Sequence, residues 1–333
     1  MNVLVVGGAG YIGSHMVKML LEHGHQVLAF DNLSGGHRDA LLGAELVQAD
    51  LADRAALDAV FAGQQFDAVM HFASFIEVGE SVRLPDKYYR NNVSNTLNLL
   101  DAMVAHGVKR FIFSSTAAIF GEPRQVPIDE GQLSRPLNPY GHSKSMVEQI
   151  LADYKRAFGL RHICLRYFNA AGADLGGLLG ERHEPETHLI PLVLQVASGR
   201  REHIAVYGRD YPTPDGTCIR DYIHVVDLCS AHLLALYRLQ DGGHSDCFNL
   251  GNGAGFSVQQ VIDAARRISG QRIDVIDAPR RAGDPARLVA DPAKARALLG
   301  WIPRHAKLDT IIETAWRWEC NMRQNSSEKR IEK

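Results

Sequence analysis

The chain has 333 residues, 46% of them hydrophobic, enough to bury a full core and to carry one large domain with a smaller one. Its 36 basic residues against 38 acidic ones leave a formal charge of −2, so no global field favours nucleic acid or an anionic membrane, and any bound anion has to be held by a local site. No apolar stretch reaches the roughly 20 residues of a bilayer span, no basic leader precedes the first apolar run, and Cys164, Cys218, Cys229, Cys247 and Cys320 show no CxxC spacing; this argues against a disulfide framework or zinc knuckle and predicts a cytoplasmic protein with core thiols.

In chain order, short β-rich apolar runs at residues 3–6, 27–30, 46–47, 68–72, 111–114 and 162–165 alternate with amphipathic helical patterns. The rhythm predicts βαβ units and hence an α/β fold, a doubly wound parallel sheet covered on both faces, in a first domain over residues 1–168. The first run leads straight into Gly7-Gly8-Ala9-Gly10-Tyr11-Ile12-Gly13, and residues 14–21 continue with helical spacing. Glycines on such a turn let the backbone fold tightly, bring main-chain N–H groups up to a pyrophosphate and pack helix against strand, while the helix N-terminus favours the negative charge. Three spaced glycines alone are weak evidence, since a Gly-rich turn followed by a surface Asp explains them as well. Asp31, 18 positions after Gly13 at the end of the second run, strengthens the dinucleotide reading. An acid there accepts bonds from the adenosine ribose and repels a 2′-phosphate, which selects NAD over NADP.

The run at 111–114 ends in Ser115-Thr116, at the carboxyl end of a strand, where open α/β sheets place their ligands. Twenty-four residues after Thr116, Tyr140-Gly141-His142-Ser143-Lys144 opens a helix behind Pro139. Tyr140 and Lys144 are four residues apart and share a helical face. A free tyrosine titrates near about pH 10, and a neighbouring ammonium is expected to favour the phenolate, moving that value toward neutrality and making Tyr140 a general base for an alcohol. YxxxK by itself is a common accident on helices; after a dinucleotide turn and a strand-end hydroxyl, in this order, it reads as chemistry.

After Phe168 the rhythm breaks. A polar, Gly-rich stretch at 170–187 precedes shorter elements: a helix near 189–198, a strand at 204–206, a helix around 226–239 and further pieces as far as Trp318. They predict a smaller lobe over 169–320, partly interleaved with the first, a ligand cleft between the two, and a polar tail at 321–333. His183 and His188 bracket Glu184 and Glu186, but at a spacing that fits no zincin pattern. No metal ligands are assigned, and these residues read as a loop flanking the ligand site. Trp316 and Trp318 read as packing.

The glycine turn, the strand-end Thr116 and the Tyr140–Lys144 pair, in this order, resemble the extended short-chain dehydrogenase/reductase family over nearly the whole chain, from Asn2 to about Trp318. His71-Phe72-Ala73, Val78-Gly79-Glu80-Ser81, Tyr88-Tyr89-Arg90-Asn91-Asn92-Val93, Arg166-Tyr167-Phe168-Asn169, Arg220-Asp221-Tyr222-Ile223-His224-Val225 and Arg280-Arg281-Ala282-Gly283-Asp284 narrow the likeness to the UDP-sugar 4-epimerases of that family. The resemblance implies a Rossmann fold with a smaller C-terminal α/β lobe, NAD as a retained cofactor, and interconversion of UDP-glucose and UDP-galactose by inversion at carbon 4 through a transient 4-keto sugar. It sets NAD against Gly7, Gly10, Tyr11, Ile12, Gly13, Asp31, Asn32, Asp50, Leu51, Phe72, Ala73, Asn91 and Phe168, with Thr116, Tyr140 and Lys144 at the reacting end. It sets the UDP-sugar against Thr116, Tyr140, Asn169, His188, Leu189, Tyr207, Arg220, Arg281 and Asp284; two arginines suit a diphosphate because each offers a planar fork of donors.

By the same resemblance Tyr140 takes the proton of the sugar 4-hydroxyl, Lys144 lowers the tyrosine's pKa and grips the nicotinamide ribose, and Thr116 hydrogen-bonds the reacting oxygen. Dehydratases of the family place Asp-Glu after the strand-end Thr, whereas Thr116 is followed by Ala117-Ala118, which cannot move a proton; elimination or decarboxylation is therefore the weaker alternative. A non-catalytic NAD-binding protein has no need of the intact Thr116, Tyr140 and Lys144 set. Ile76 replaces a lysine found in some epimerases, His188 stands where Asn is frequent, and Leu288 stands where tyrosine or a smaller residue has been linked to N-acetylated sugars, so other UDP-hexosamines or UDP-pentoses stay open as substrates. Stretches 95–104 and 146–154 correspond to helices that pair across a dimer in similar enzymes, implying a homodimer. No nucleic-acid or membrane partner is expected.

Overall fold

Alternate residues of a single strand feed two different cores, and this explains why the apolar runs are nearly unbroken. Val3 and Val5 pack with Met16, Val17 and Leu20 of the helix Tyr11–Glu22 and with Leu228 and Leu236 of the helix Val225–Gln240. Leu4 and Val6 face the opposite way, toward Leu57 of Arg54–Gly63, Leu99 and Met103 of Asn95–Ala105, and Val147 and Leu151 of Pro139–Phe158. The computed structural model describes residues 1–281 and 284–331; Ala282 and Gly283, within the Arg280 to Asp284 motif, and Glu332 and Lys333, at the end of the expected tail, lie outside the described residues.

The sheet has seven strands in the order Asp246–Leu250, Arg161–Tyr167, Arg110–Thr116, Ala68–His71, Asn2–Val6, Gln26–Asp31, Glu45–Gln48, and every neighbouring pair runs parallel. The winding reverses between Asn2–Val6 and Ala68–His71, the switch point at which a doubly wound sheet opens a crevice beyond its carboxyl ends. The six strands read from the sequence are all present, extended by up to two residues at an end and one residue shorter at 68–71.

The segment after 168 divides. Helix Val225–Gln240 and strand Asp246–Leu250 return to complete the first sheet and its helical layer. The rest builds a separate core in which Ile190, Val193 and Leu194 of the helix Leu189–Ala197 meet Val261 and Ile262 of Val258–Ser269 and Ile311 and Ile312 of Leu308–Ile331. That last helix carries the expected tail along as far as Ile331. Among the described residues no helix is long and apolar enough to cross a membrane.

Burial of histidine inside these cores makes the fold acid-sensitive. His15, His162 and His232 are pulled down to about 4, and His71 and His224 to about 3, in each case chiefly because burial disfavours the imidazolium. A folded pKa below the unfolded value of about 6.5 means that the unfolded state binds more protons. The stability is thus complete above about pH 6.5 and is lost as pH falls through the folded values, by up to about 1.4 kcal/mol per pH unit for each histidine. Denaturant unfolding of the NAD-free protein at pH 7.5 and 4.5 should show this decline, and His232→Leu should flatten it; equal slopes for both proteins would contradict the assignment.

Candidate active site

The glycine turn is shaped by two contacts that leave no room for a side chain. A Cβ on Gly13 would lie 2.0 Å from the Gly7 carbonyl oxygen, and one on Gly7, whose φ is +77°, would lie 2.5 Å from the Ala73 nitrogen. Gly10 is different: its added Cβ would meet only the Gly7 oxygen at 3.5 Å. Gly10 caps the helix Tyr11–Glu22 with extended backbone and no side-chain cap hydrogen bond, so the helix N-terminus presents its amides to an anion. The side chain of Tyr11 is not on this surface, because its hydroxyl donates to the Gly172 carbonyl at 2.7 Å and its ring packs edge-on to His15. Only the backbone at Tyr11 can serve a cofactor.

Asp31, buried at the end of its strand, accepts from the Ala9 amide at 2.9 Å and the Leu33 amide at 2.8 Å. Two oxygens offer about four acceptor positions, so holding the glycine turn leaves capacity for ribose hydroxyls. Asn32 donates to Asp50 at 2.6 Å, and Leu51 is buried beside it with its carbonyl bonded by Asn98. Phe72 and Ala73 follow the fourth strand, where the Phe72 amide donates to the Val6 carbonyl and Ala73 closes over Gly7. Asn91 lies in a π-helical turn, Arg90–Ser94, a local widening of a helix often found at functional sites. The turn aims its neighbour Asn92 inward: Asn92 accepts from the Phe75 amide and donates to the Phe75 carbonyl and the Ser143 hydroxyl. Asn92 thereby ties the segment after Ala73 to the helix that carries Tyr140.

That helix, Pro139–Phe158, starts with Asn138 accepting from the Gly141 amide and with proline in the first turn, a strong N-terminus. Tyr140 is half-buried, and Thr116, at the end of its strand, hydrogen-bonds the phenol. Thr116 also accepts from the Ala118 amide at 3.1 Å. Lys144 is buried; its ammonium donates to the Ser74 hydroxyl at 2.6 Å and the Ser114 carbonyl at 2.8 Å and lies 4.9 Å from the centre of the Phe113 ring.

The electrostatics correct one expectation. Burial holds the Tyr140 phenol above the ordinary tyrosine value, with the Thr116 hydrogen bond pulling the other way, and Lys144 is not among the causes. Burial lowers Lys144 itself to about 7, against the pull of the Glu148 carboxylate. The Lys144 ammonium is turned toward Ser74 and Ser114 in the NAD-free protein.

Glu148, one further turn along the same face, was not read from the sequence. It accepts from the Ser115 hydroxyl at 2.5 Å and from Arg166 through two bonds of 3.0 and 2.6 Å, locking helix, strand end and next strand together.

Phe168 and Leu288 pack on one small apolar cluster with Ala117, Ile119 and Phe120. The Asn169 amide group donates to the Asp221 carbonyl at 2.8 Å. His188 caps the helix Leu189–Ala197, placing Leu189 in its first turn. Burial would lower the His188 pKa, but Glu181 and Glu186 against Nδ1 push it up to about 10. The Arg281 guanidinium stacks 3.9 Å from the centre of the Tyr207 ring. Arg220 donates to the carboxylate of Asp284 and to the Pro285 carbonyl, so these two expected ligand groups are already paired with each other.

The profile described as the NAD dependent epimerase/dehydratase family matches residues 3–251. The chain is 52% identical, over 318 residues that make up 96% of it and 95% of the relative, to the UDP-glucose 4-epimerase of Halalkalibacterium halodurans. The structure of UDP-glucose 4-epimerase from Brucella ovis in complex with NAD superposes with a TM-score of 0.93 at 50% identity, covering 95% of this chain and 97% of that one. The UDP-Glc/GlcNAc 4-epimerase from Campylobacter jejuni superposes with a TM-score of 0.85 at 44% identity, covering 96% and 99%.

Proposed function

The chain belongs to the NAD-dependent epimerase/dehydratase family, and on that premise we propose that it interconverts UDP-glucose and UDP-galactose by inversion at carbon 4 through a transient 4-keto sugar, with NAD as its cofactor. The observation that carries this reading is the meeting of Thr116, Tyr140 and Lys144 at the carboxyl end of the sheet, in a chain about half identical over its full length to enzymes of that name.

The residues fit the dinucleotide. Gly10 leaves space at an uncapped helix N-terminus for the pyrophosphate, and Asp31 keeps acceptors for the adenosine ribose. Asn32, bonded to Asp50, and Leu51 would hold the adenine end, Phe72, Ala73 and Asn91 would lie along the cofactor, and Phe168 would pack by the nicotinamide. NAD, when bound, supplies the hydride acceptor that is later the donor, and its positive ring adds the charge that draws the phenol toward phenolate. Tyr140 takes the proton of the 4-hydroxyl and returns one to the ketone oxygen, while Thr116 shares its hydrogen bond with that oxygen. Of the three Lys144 protons, two are committed to Ser74 and Ser114, and the third points the ammonium's role toward the nicotinamide ribose.

Arg220 and Arg281 hold the diphosphate, Tyr207 stacks at the uracil, Asp284 takes the uridine ribose, and Asn169 and the helix start at His188 and Leu189 flank the sugar. Inversion needs the keto sugar to turn while its UDP stays anchored, so binding energy belongs on the nucleotide half. The residues after Thr116 are Ala117 and Ala118, which offer no acid or base for elimination.

Incubating the protein with UDP-galactose should yield UDP-glucose, and the reverse incubation should reach the same mixture; a 4-keto-6-deoxy product, or no interconversion of any UDP-hexose or UDP-pentose, defeats the reading. Including UDP-N-acetylglucosamine in that panel sets the sugar range. The helices Asn95–Ala105 and Pro139–Phe158, joined by the Tyr154 to Asp101 hydrogen bond, form the face we assign to a homodimer, which light scattering tests. Five free cysteines suit the reducing cytoplasm.

A further inference from the structure

The strap between residues 181 and 188 gathers four donor groups: Glu181, His183 and Glu186, to which the reaction gives no role, and His188, which also stands at the helix start that flanks the sugar. Glu181 and Glu186 have side chains only 7% and 6% exposed. The His183 Nδ1 lies 2.9 Å from one Glu181 oxygen and 3.9 Å from one Glu186 oxygen, and the His188 Nδ1 lies 2.8 and 3.0 Å from the same two carboxylates. One ligand atom from each of the four residues falls within 4.8 Å of all the others. Glu184, which sits between the histidines in sequence, is not in the group.

Hydrogen bonding alone serves this arrangement poorly. One imidazole nitrogen carries at most one proton, yet the His188 Nδ1 stands against two carboxylates, and the His183 Nδ1 lies 2.9 Å from Glu181 without a well-aligned hydrogen bond. A cation among the four would satisfy all of them at once. Tetrahedral zinc, with bonds of about 2.0–2.2 Å, sets its ligand atoms about 3.4 Å apart; the four histidine–carboxylate distances span 2.8–3.9 Å and no pair of ligand atoms exceeds 4.8 Å. Two imidazole nitrogens with two carboxylate oxygens suit zinc and not calcium or magnesium, which take more oxygens and retain water. Four protein ligands close the shell, which is the pattern of a structural and not a catalytic ion.

The position gives such an ion something to hold. Arg182 makes two bonds to Asp39, and His37 contacts the Arg182 carbonyl, so one end of the strap covers the loop that packs on the glycine turn. The His183 ring meets Tyr11 edge-on at 6.4 Å. The other end is His188, the cap of the helix Leu189–Ala197.

We propose that Glu181, His183, Glu186 and His188 form a structural site for one zinc ion, which pins this strap between the glycine turn and the helix that begins at His188. The test uses the full-length protein stripped with a chelator and titrated with zinc chloride alone in competition with a chromogenic chelator. It should bind one zinc per chain, with affinity reduced at least about 100-fold in His183→Ala and Glu186→Gln. Cobalt substituted into the wild-type protein should show the intense visible bands of a tetrahedral site, a readout that does not depend on the variants folding. Less than one zinc per chain, wild-type affinity in both variants, or the weak spectrum of six-coordinate cobalt overturns the proposal.

Discussion

Replacing Tyr140 by phenylalanine is expected to lower kcat by about 10²–10⁴-fold, the usual weight of a positioned proton-transfer group, while leaving NAD bound. The ring, the helix start at Asn138 and the Lys144 bonds to Ser74 and Ser114 do not depend on the phenol. Among the described residues the hydroxyl's partner is Thr116, and losing a single hydrogen bond of this kind costs about 1 kcal/mol, so the variant should fold. Steady-state rates with UDP-galactose, alongside the NAD released on denaturation, separate the two effects. A kcat within a few fold of wild type would take Tyr140 out of the mechanism. Burial holds the phenol above the ordinary tyrosine value in the NAD-free protein, and the positive nicotinamide ring would supply charge that favours the phenolate when NAD is bound.

What could be read from the chain follows from which interactions are local. Strands such as Asn2–Val6 announce themselves because both faces are buried and a glycine turn ends the first of them. Tyr140 and Lys144 show as a pair because one helix face holds both. Membership of the sheet is another matter: Asp246–Leu250 joins Arg161–Tyr167 across some 80 residues, a pairing set by where helix Val225–Gln240 docks and not by any period in the sequence. Asn92, Ser74 and Glu148 act through partners 17 to 70 residues away, so no spacing rule exposes them. The Tyr140 shift follows burial, a tertiary quantity that helix spacing does not carry. The strap at 181–188 has no helical or strand period, and its histidines and glutamates meet only once the loop has folded.

The glycine turn allows a sharper test, because its glycines are needed for different reasons. In Gly13→Ala the new Cβ meets backbone, the Gly7 oxygen at 2.0 Å and carbon at 2.9 Å, and no flexible side chain can yield. Overpacking of this kind costs about 3 kcal/mol or more, so the variant should lose both stability and NAD. Gly10→Ala should separate the two. Its φ of −77° and ψ of 177° suit any residue, and the nearest atom to the added methyl stands at 3.5 Å, so unfolding of the NAD-free protein should change by less than about 1 kcal/mol. The methyl instead takes up space at the uncapped helix N-terminus, and NAD affinity should fall at least about 10-fold, equivalent to about 1.4 kcal/mol. Denaturant unfolding without NAD and calorimetric titration with it measure the two quantities independently. Wild-type NAD affinity in Gly10→Ala would move the pyrophosphate off this turn, whereas a fold lost in both variants would make Gly10 a packing residue like Gly13.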